Sequence, residues 1–362
     1  MFFQWYLFVL LAVVWFLAPR IGQTYTVTIL DHKEKRYGWL PVLSVAIPLI
    51  YLAAVRDDFS DTSAYRASFL ALSEDLSSIS SVWDIEGKDR GFTVFSIFIK
   101  SIIGNQDKLY FGIIAAITIL CVARTYKHYS CNFMMSMFLF IASSDYVQWH
   151  YNGIRQFIPV AILFACTGLI LKKKYLPLIL IILLLSTIHM SALLMIPMIF
   201  VVQGKPFNIR TMGFLAAILL AIFLLEDFTD LLTGFMESTQ YAGEVDQYLS
   251  TEGTNIIRVL VFAVPPLLAF ILRKRIIASN DKRIYLAVNM STASFGCYLL
   301  SAFTSGIFIG RIPIYFSLYN YILIPWLIRR SFRTSSARLM YVFAIGLYLI
   351  FYYYQVVISW GL

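Results

Sequence analysis

Arg56, Arg155, Arg258 and Arg311 each stand at the end of an apolar run. A guanidinium grips phosphate oxygens through a rigid, bidentate fork. Four of them at helix ends on one side of the chain therefore resemble a binding ring for phosphate or diphosphate. Arg155 is the sharpest of the four. It follows Tyr146-Val-Gln-Trp149-His-Tyr151-Asn152-Gly-Ile and precedes Gln156, at the mouth of a strongly apolar segment. An unpaired guanidinium at that depth costs a few kcal/mol, so a functional role is the default reading and snorkelling to headgroups the bland one. Trp149 and Tyr151 offer flat faces suited to stacking on a sugar, although aromatic belts gather at the same depth for lipid reasons.

Acid–base chemistry has a short list of candidates. Arg56 opens Arg56-Asp57-Asp58-Phe-Ser-Asp61-Thr-Ser-Ala-Tyr65. If the helix continues, Asp57, Asp61 and Tyr65 fall on one face. Alternatively Asp61 caps a new helix that starts at Thr62. A similar acidic run recurs at Glu226–Asp230. Neither cluster has a dedicated cation-ligand spacing, and we expect no metal and no cofactor. His189 lies in Ser-Thr-Ile-His189-Met-Ser-Ala, at the junction of two apolar halves, without a zinc-type motif around it. A break there frees backbone groups and favours a polar pocket, while a merely satisfied buried histidine is the alternative.

These residues sit in a frame written by hydropathy and charge. The chain is 60% hydrophobic with a mean hydropathy of +0.76, and apolar runs recur from Phe2 to Trp360. That composition specifies an all-α polytopic membrane protein. The gaps alternate in charge: 20–37, 172–174, 273–283 and 329–338 are basic, whereas 56–108 and 227–255 hold most of the acids. Basic gaps belong in the cytoplasm. The net charge of +9 is then explained by orientation and needs no nucleic-acid partner. At about 20 residues per crossing we expect twelve spans, roughly 2–19, 38–55, 109–124, 132–148, 154–171, 175–189, 190–202, 211–226, 256–272, 284–303, 312–328 and 339–357. Both termini would face outward, in a single transmembrane domain covering residues 1–362. Residues 175–202 are read as two short, broken helices meeting near Ile188-His189. Gly91–Gly104 is read as an outer-face amphipathic or re-entrant helix, with Phe92, Phe95, Phe98, Ile99, Ile102 and Ile103 on one face and Thr93, Ser96 and Lys100 opposite. The cysteines at 121, 131, 166 and 297 form no disulfide framework.

In order along the chain, Arg56-Asp57…Asp61…Tyr65, Asp89-x-Gly91-Phe92, Asn152-x-x-Arg155-Gln156, His189-x-Ser191-Ala192 and Arg311…Tyr315-Phe316 resemble the EpsG family of Wzy-type bacterial polysaccharide polymerases. Asp89 departs from the pattern, where the family favours Glu. The resemblance implies a GT-C-like glycosyltransferase of O-antigen, capsule or exopolysaccharide assembly in the bacterial cytoplasmic (inner) membrane, with its active site on the outer, periplasmic side. Its substrates would be polyprenyl-diphosphate-linked oligosaccharides (undecaprenyl diphosphate as the carrier). Its partners would be the membrane lipid, a flippase and a chain-length regulator. Asp57, Asp61, Asp89 and His189 are then the candidate catalytic groups. Arg56, Tyr65, Trp149, Tyr151, Asn152, Arg155, Gln156, Arg258, Arg311 and Tyr315 are the candidate substrate contacts, with Arg155 and Arg311 first for the diphosphate. A glycan ligase using the same donor, and a lipid-linked oligosaccharide flippase, are the alternatives. A flippase would be expected to show two related halves, which the sequence lacks.

Overall fold

The computed structural model describes residues 5–30, 32–56, 60–83, 89–237, 252–306 and 308–361. Of these, 78% are helical, since a chain with no water to bond must satisfy its own backbone. Two compact units emerge, Met1–Leu193 with Ile328–Leu362 and Leu194–Leu327.

In the first unit, α1 (Trp5–Leu17) leads into a hairpin of β1 (Thr24–Ile29) and β2 (His32–Tyr37), antiparallel in the register Thr24↔Tyr37 to Ile29↔His32. This hairpin fills the basic 20–37 gap, for which charge alone predicts only a loop. What holds it is Arg36, buried at 4% exposure. Its Nη2 donates to Glu34 at 2.6 Å, and its Nη1 donates to the carbonyls of Lys127 at 3.0 Å and Ser130 at 2.5 Å.

The helices α2 (Trp39–Ala54), α3 (Thr62–Ala71), α4 (Arg90–Ile103), α5 (Asp107–Tyr129), α6 (Phe133–Ala142), α7 (Asp145–Tyr151), α8 (Ile154–Ala165), α9 (Thr167–Leu171) and α10 (Tyr175–Ser186) follow. A 3-10 turn, Leu76–Trp83, lies between α3 and α4. Helix α5 is the axis, packed by α2 and α8. Small residues permit that approach: Gly112 has room for only a tight contact with the Ala54 methyl. Phe69, Phe92, Ile99, Tyr110, Phe111, Ile114, Ile154 and Ile158 form the apolar cluster that joins α3, α4, α5 and α8.

The second unit contains α11 (Met195–Val201), α12 (Ile209–Phe223), α13 (Leu225–Glu237), α14 (Ile256–Ile271), α15 (Arg273–Ser279), α16 (Lys282–Phe303), α17 (Ile314–Ser317) and most of α18 (Asn320–Ser331). Here α16 is central, packed by α12, α14 and α17. The side chains of Asn208, Asn255 and Asp281 accept backbone N–H groups at the starts of α12, α14 and α16, as N-caps should. Helix α19 (Thr334–Tyr352) returns the chain to the first unit and runs on as a π-helix to Ser359.

Helix length gives a lower count of crossings than the apolar runs do. Among the described residues, Asp107–Tyr129, Lys282–Phe303 and Thr334–Ser359 are long and apolar enough to cross a membrane, or up to 5 segments if each bent pair is one span. Other apolar helices are 10–17 residues long. The runs are cut by local backbone: Ser144 (φ 66) and Gly153 (φ 85) are left-handed, and α10 stops at Ser186 before the turn that carries His189. Large apolar side chains such as Leu176, Phe223, Ile271 and Leu339 stay exposed, which marks lipid-facing surface. The chain is a multi-pass membrane protein.

Candidate active site

The expected candidates converge most closely around α3, α4 and α8. Helix α2 ends at Ala54 and Ser60 adopts a left-handed φ of 51°, so no continuous helix runs through Asp61. Of the second expected arrangement the helix start holds and the capping bond does not: α3 begins at Thr62 with Asp61 in the N-cap position. The Asp61 carboxylate makes no capping hydrogen bond. Instead it lines a cavity of about 390 Å3, with Tyr65, Thr93, Ser96, Tyr110 and Arg155 on the other walls. Asp57 lies outside the described residues.

Arg155, in the first turn of α8, reaches this cavity with its side chain 38% exposed. Its Nη1 stands 3.2 Å from Oδ2 of Asp89, which is 5% exposed. The guanidinium carbon also lies 5.5 Å from the centre of the Tyr65 ring. Asp89 precedes α4 with φ 55 and ψ 46, a left-handed conformation that Asp and Asn tolerate better than other side chains. Its carbonyl accepts from Phe92 N at 2.8 Å, so the turn that starts α4 also aims the carboxylate at Arg155.

Gly91 seats this turn against the break after α10. Its N–H donates to the Thr187 carbonyl at 2.8 Å. A Cβ there would collide with Thr187 Oγ1 and lie 2.7 Å from the Thr187 carbonyl carbon. The Asp89-x-Gly91 motif is thus joined to the segment carrying His189, whose Nδ1 lies 2.7 Å from Ser191 Oγ. The helix does break at the expected place, with α10 ending at Ser186 and a 3-10 turn running from Met190 to Leu194.

One expectation about α4 is corrected. Thr93, Ser96 and Lys100 do not form its outer, solvated face. Ser96 and Lys100 are each 2% exposed, whereas Phe98 and Ile102 point outward at 54% and 69%. Lys100 Nζ donates to the carbonyls of Phe69 at 3.0 Å and Leu70 at 2.7 Å, closing the end of α3. Ser96 Oγ is 2.8 Å from the Tyr110 hydroxyl, whose ring stacks on Phe69 at 4.1 Å. In lipid the apolar side is the solvent-facing side, so the polar stripe turns inward. Thr93, Ser96 and Tyr110 line the candidate cavity and were not singled out from the sequence. The Thr93-x-x-Ser96 spacing was visible, but its direction was not.

The remaining candidates of this unit lie deeper. Arg56 is 6% exposed, with its guanidinium carbon 3.8 Å from the centre of the Phe111 ring and 5.8 Å from that of Tyr151. Its Nε and Nη2 have no hydrogen-bond partner among the described residues, and burial pushes its pKa down to about 10. Tyr151 donates to the Leu52 carbonyl, and its own carbonyl accepts from Thr62 Oγ1, each at 3.3 Å. Trp149 is 1% exposed and stacked on Phe157 at 6.2 Å. The open stacking face expected of it is taken up by the core. Asn152 forms the C-cap of α7 and Gln156 is buried in α8.

Arg258, Arg311 and Tyr315 belong to the second unit. Arg258 Nε and Nη2 both donate to the Tyr298 hydroxyl at 3.3 Å. Arg311 ends a one-turn 3-10 helix and is half-buried, while Tyr315 is 4% exposed. The turn before Arg311 packs on residues 252–254 so closely that a Cβ at Gly306 or Gly310 would collide with the Glu252 carbonyl or Thr254 Oγ1. The four arginines thus divide two and two between the units. Among the described residues no group of three or more His, Cys, Asp or Glu side chains comes together.

No curated protein and no solved structure shows a significant match to the chain. A family model, that of the EpsG family, matches residues 39–361. This is nearly the whole chain, and it includes every described element that builds the cavity. EpsG is a family of Wzy-type polymerases. The chain belongs to the EpsG family.

Proposed function

We propose that this chain polymerises polyprenyl-diphosphate-linked oligosaccharides at the outer face of the bacterial cytoplasmic membrane. The growing glycan moves from its lipid diphosphate to a hydroxyl of the next lipid-linked repeat unit, and polyprenyl diphosphate leaves. The observation that carries this reading is one cavity lined by both a cation and a carboxylate, Arg155 and Asp61, with a buried partner, Asp89, behind the cation. As the anomeric C–O bond breaks, its electron pair departs with the diphosphate, and a preorganised guanidinium stabilises that charge. The acceptor oxygen forms the new C–O bond while its proton passes to a base. Asp61 suits that role because no capping bond engages its carboxylate. His189 is the second candidate for it. Tyr65 supplies an aromatic wall for a sugar ring, and Asp89 positions Arg155. Supply of the lipid-linked unit by a flippase and control of length by a chain-length regulator complete the reading.

The test is polymer formation by the purified chain from one defined lipid-linked repeat unit, resolved on a gel, with and without chelator. The wild-type ladder is expected to survive chelation. Arg155→Ala should slow it by about 10²–10³-fold, and Asp61→Asn by about 10²–10⁴-fold. An Asp61→Asn enzyme at wild-type rate would move the base to His189, tested in turn by His189→Ala. A wild-type chain that makes no ladder from its cognate substrate, yet moves that lipid across proteoliposomes, would sink the polymerase and leave the flippase.

A further inference from the structure

A second cavity of the first unit, about 440 Å3, shares no lining residue with the one above. Lys35 and Tyr37 of β2, Arg329 at the end of α18, and Arg338 and Tyr341 of α19 line it, with Trp15 of α1 at its edge. No carboxylate lines it. Among the described residues none pairs with Lys35, Arg329 or Arg338. Arg329 is aimed by carbonyls instead: Nη2 donates to Lys33 O at 2.5 Å and Nη1 to Cys131 O at 3.4 Å. Carbonyls orient a guanidinium without neutralising it. Helix α19 begins beside the cavity with no acidic residue in its first turn, so its partial positive end adds to the same field. Tyr341 is fixed by a hydrogen bond to Asn132.

Orientation in the membrane accounts for bases in these gaps. It does not account for Arg329 being held by a direct bond to a segment 296 residues away, with Lys35 and Arg338 lining the same concave space. We infer that this cavity binds a phosphate-bearing anion, and that its occupant is the headgroup of an acidic membrane lipid. Converging cations at the membrane surface are suited to lipid phosphate. Trp15, 44% exposed, and the half-buried Tyr341 supply the amphipathic rim found at headgroup depth. The inference stands independently of the polymerase reading, because it uses none of that site's residues.

The experiment uses the full chain in phosphatidylcholine nanodiscs with or without phosphatidylglycerol, with bound lipid read by native mass spectrometry and stability by thermal unfolding. Wild type should retain phosphatidylglycerol in preference to phosphatidylcholine. The K35Q/R338Q pair should bind it about 30-fold more weakly, while the charge-keeping K35R/R338K pair should not. Should the glutamine pair fail to fold, Lys35→Gln alone carries the test, since Lys35 is exposed. Stabilisation by inorganic phosphate alone, lost in the glutamine variants and unmatched by phosphatidylglycerol, would keep the anion site but overturn the lipid occupant. Equal retention by wild type and the glutamine variants, or no preference for the acidic lipid, would overturn the site.

Discussion

Arg155 and Asp89 show why a charged pair beside a cavity differs from one on a surface. The carboxylate is buried and the guanidinium is half open, so the pair presents a fixed positive edge to whatever enters. Asp89→Asn is the cleanest perturbation, because Asn also accepts the left-handed backbone that Asp89 adopts. We expect it to lower polymerisation by about tenfold or more, chiefly in kcat, with the thermal midpoint nearly unchanged. A drop in the midpoint that parallels the lost activity would mean that Asp89 only holds the fold. Asp61, Tyr65 and Arg155 were all legible in the sequence as groups whose cost or spacing asked for a reason. The direction of Trp149 was not, because an aromatic at the membrane edge and one locked in the core look alike in one dimension.

At the scale of elements, α4 is a wedge whose seat depends on a missing side chain. Gly91→Ala would press a methyl onto both Thr187 Oγ1 and the Thr187 carbonyl carbon. A loss of about 1–3 kcal/mol in stability is expected. Because backbone as well as side chain is struck, Thr187→Ala should not restore it; full rescue in denaturant titrations would show that only the hydroxyl was in the way. The hairpin depends on a buried ion pair in the same sense. Arg36→Met takes the 2.6 Å guanidinium partner from Glu34, which is 1% exposed, and removes two hydrogen bonds to carbonyls at the end of α5. Breaking a buried pair in this way costs about 3–5 kcal/mol. The double change Glu34→Leu with Arg36→Met should recover a good part of it. A double variant as unstable as the single would place the stability in the carbonyl contacts instead.

At the scale of the whole molecule, the alternation of basic and acidic gaps makes a sidedness prediction. All four native cysteines are free, so they can be replaced and single cysteines introduced. Ser77→Cys, on the 3-10 turn between α3 and α4, should react with an impermeant maleimide added outside. Ser279→Cys, at the end of α15, should react only after the membrane is opened. Labelling of both from the same side would break the orientation and, with it, the placement of the cavity at the outer face.

Hydropathy and charge by themselves determined that this is a helical membrane protein, and that Arg155, Asp61 and His189 need explaining. The reason is that a bilayer penalises polar groups so strongly that each one left in an apolar run is conspicuous in the sequence. Tertiary structure alone decided which way those groups face. It turned the polar stripe of α4 inward and drew Asp89 onto Arg155. It also folded a hairpin in the basic 20–37 gap and cut apolar runs into shorter helices. Those outcomes depend on backbone turns at Ser144, Gly153 and Asp89 and on contacts between distant segments, such as Gly91 with Thr187. Neither a left-handed φ nor a missing Cβ leaves a mark in hydropathy, so neither could be read before the chain was folded.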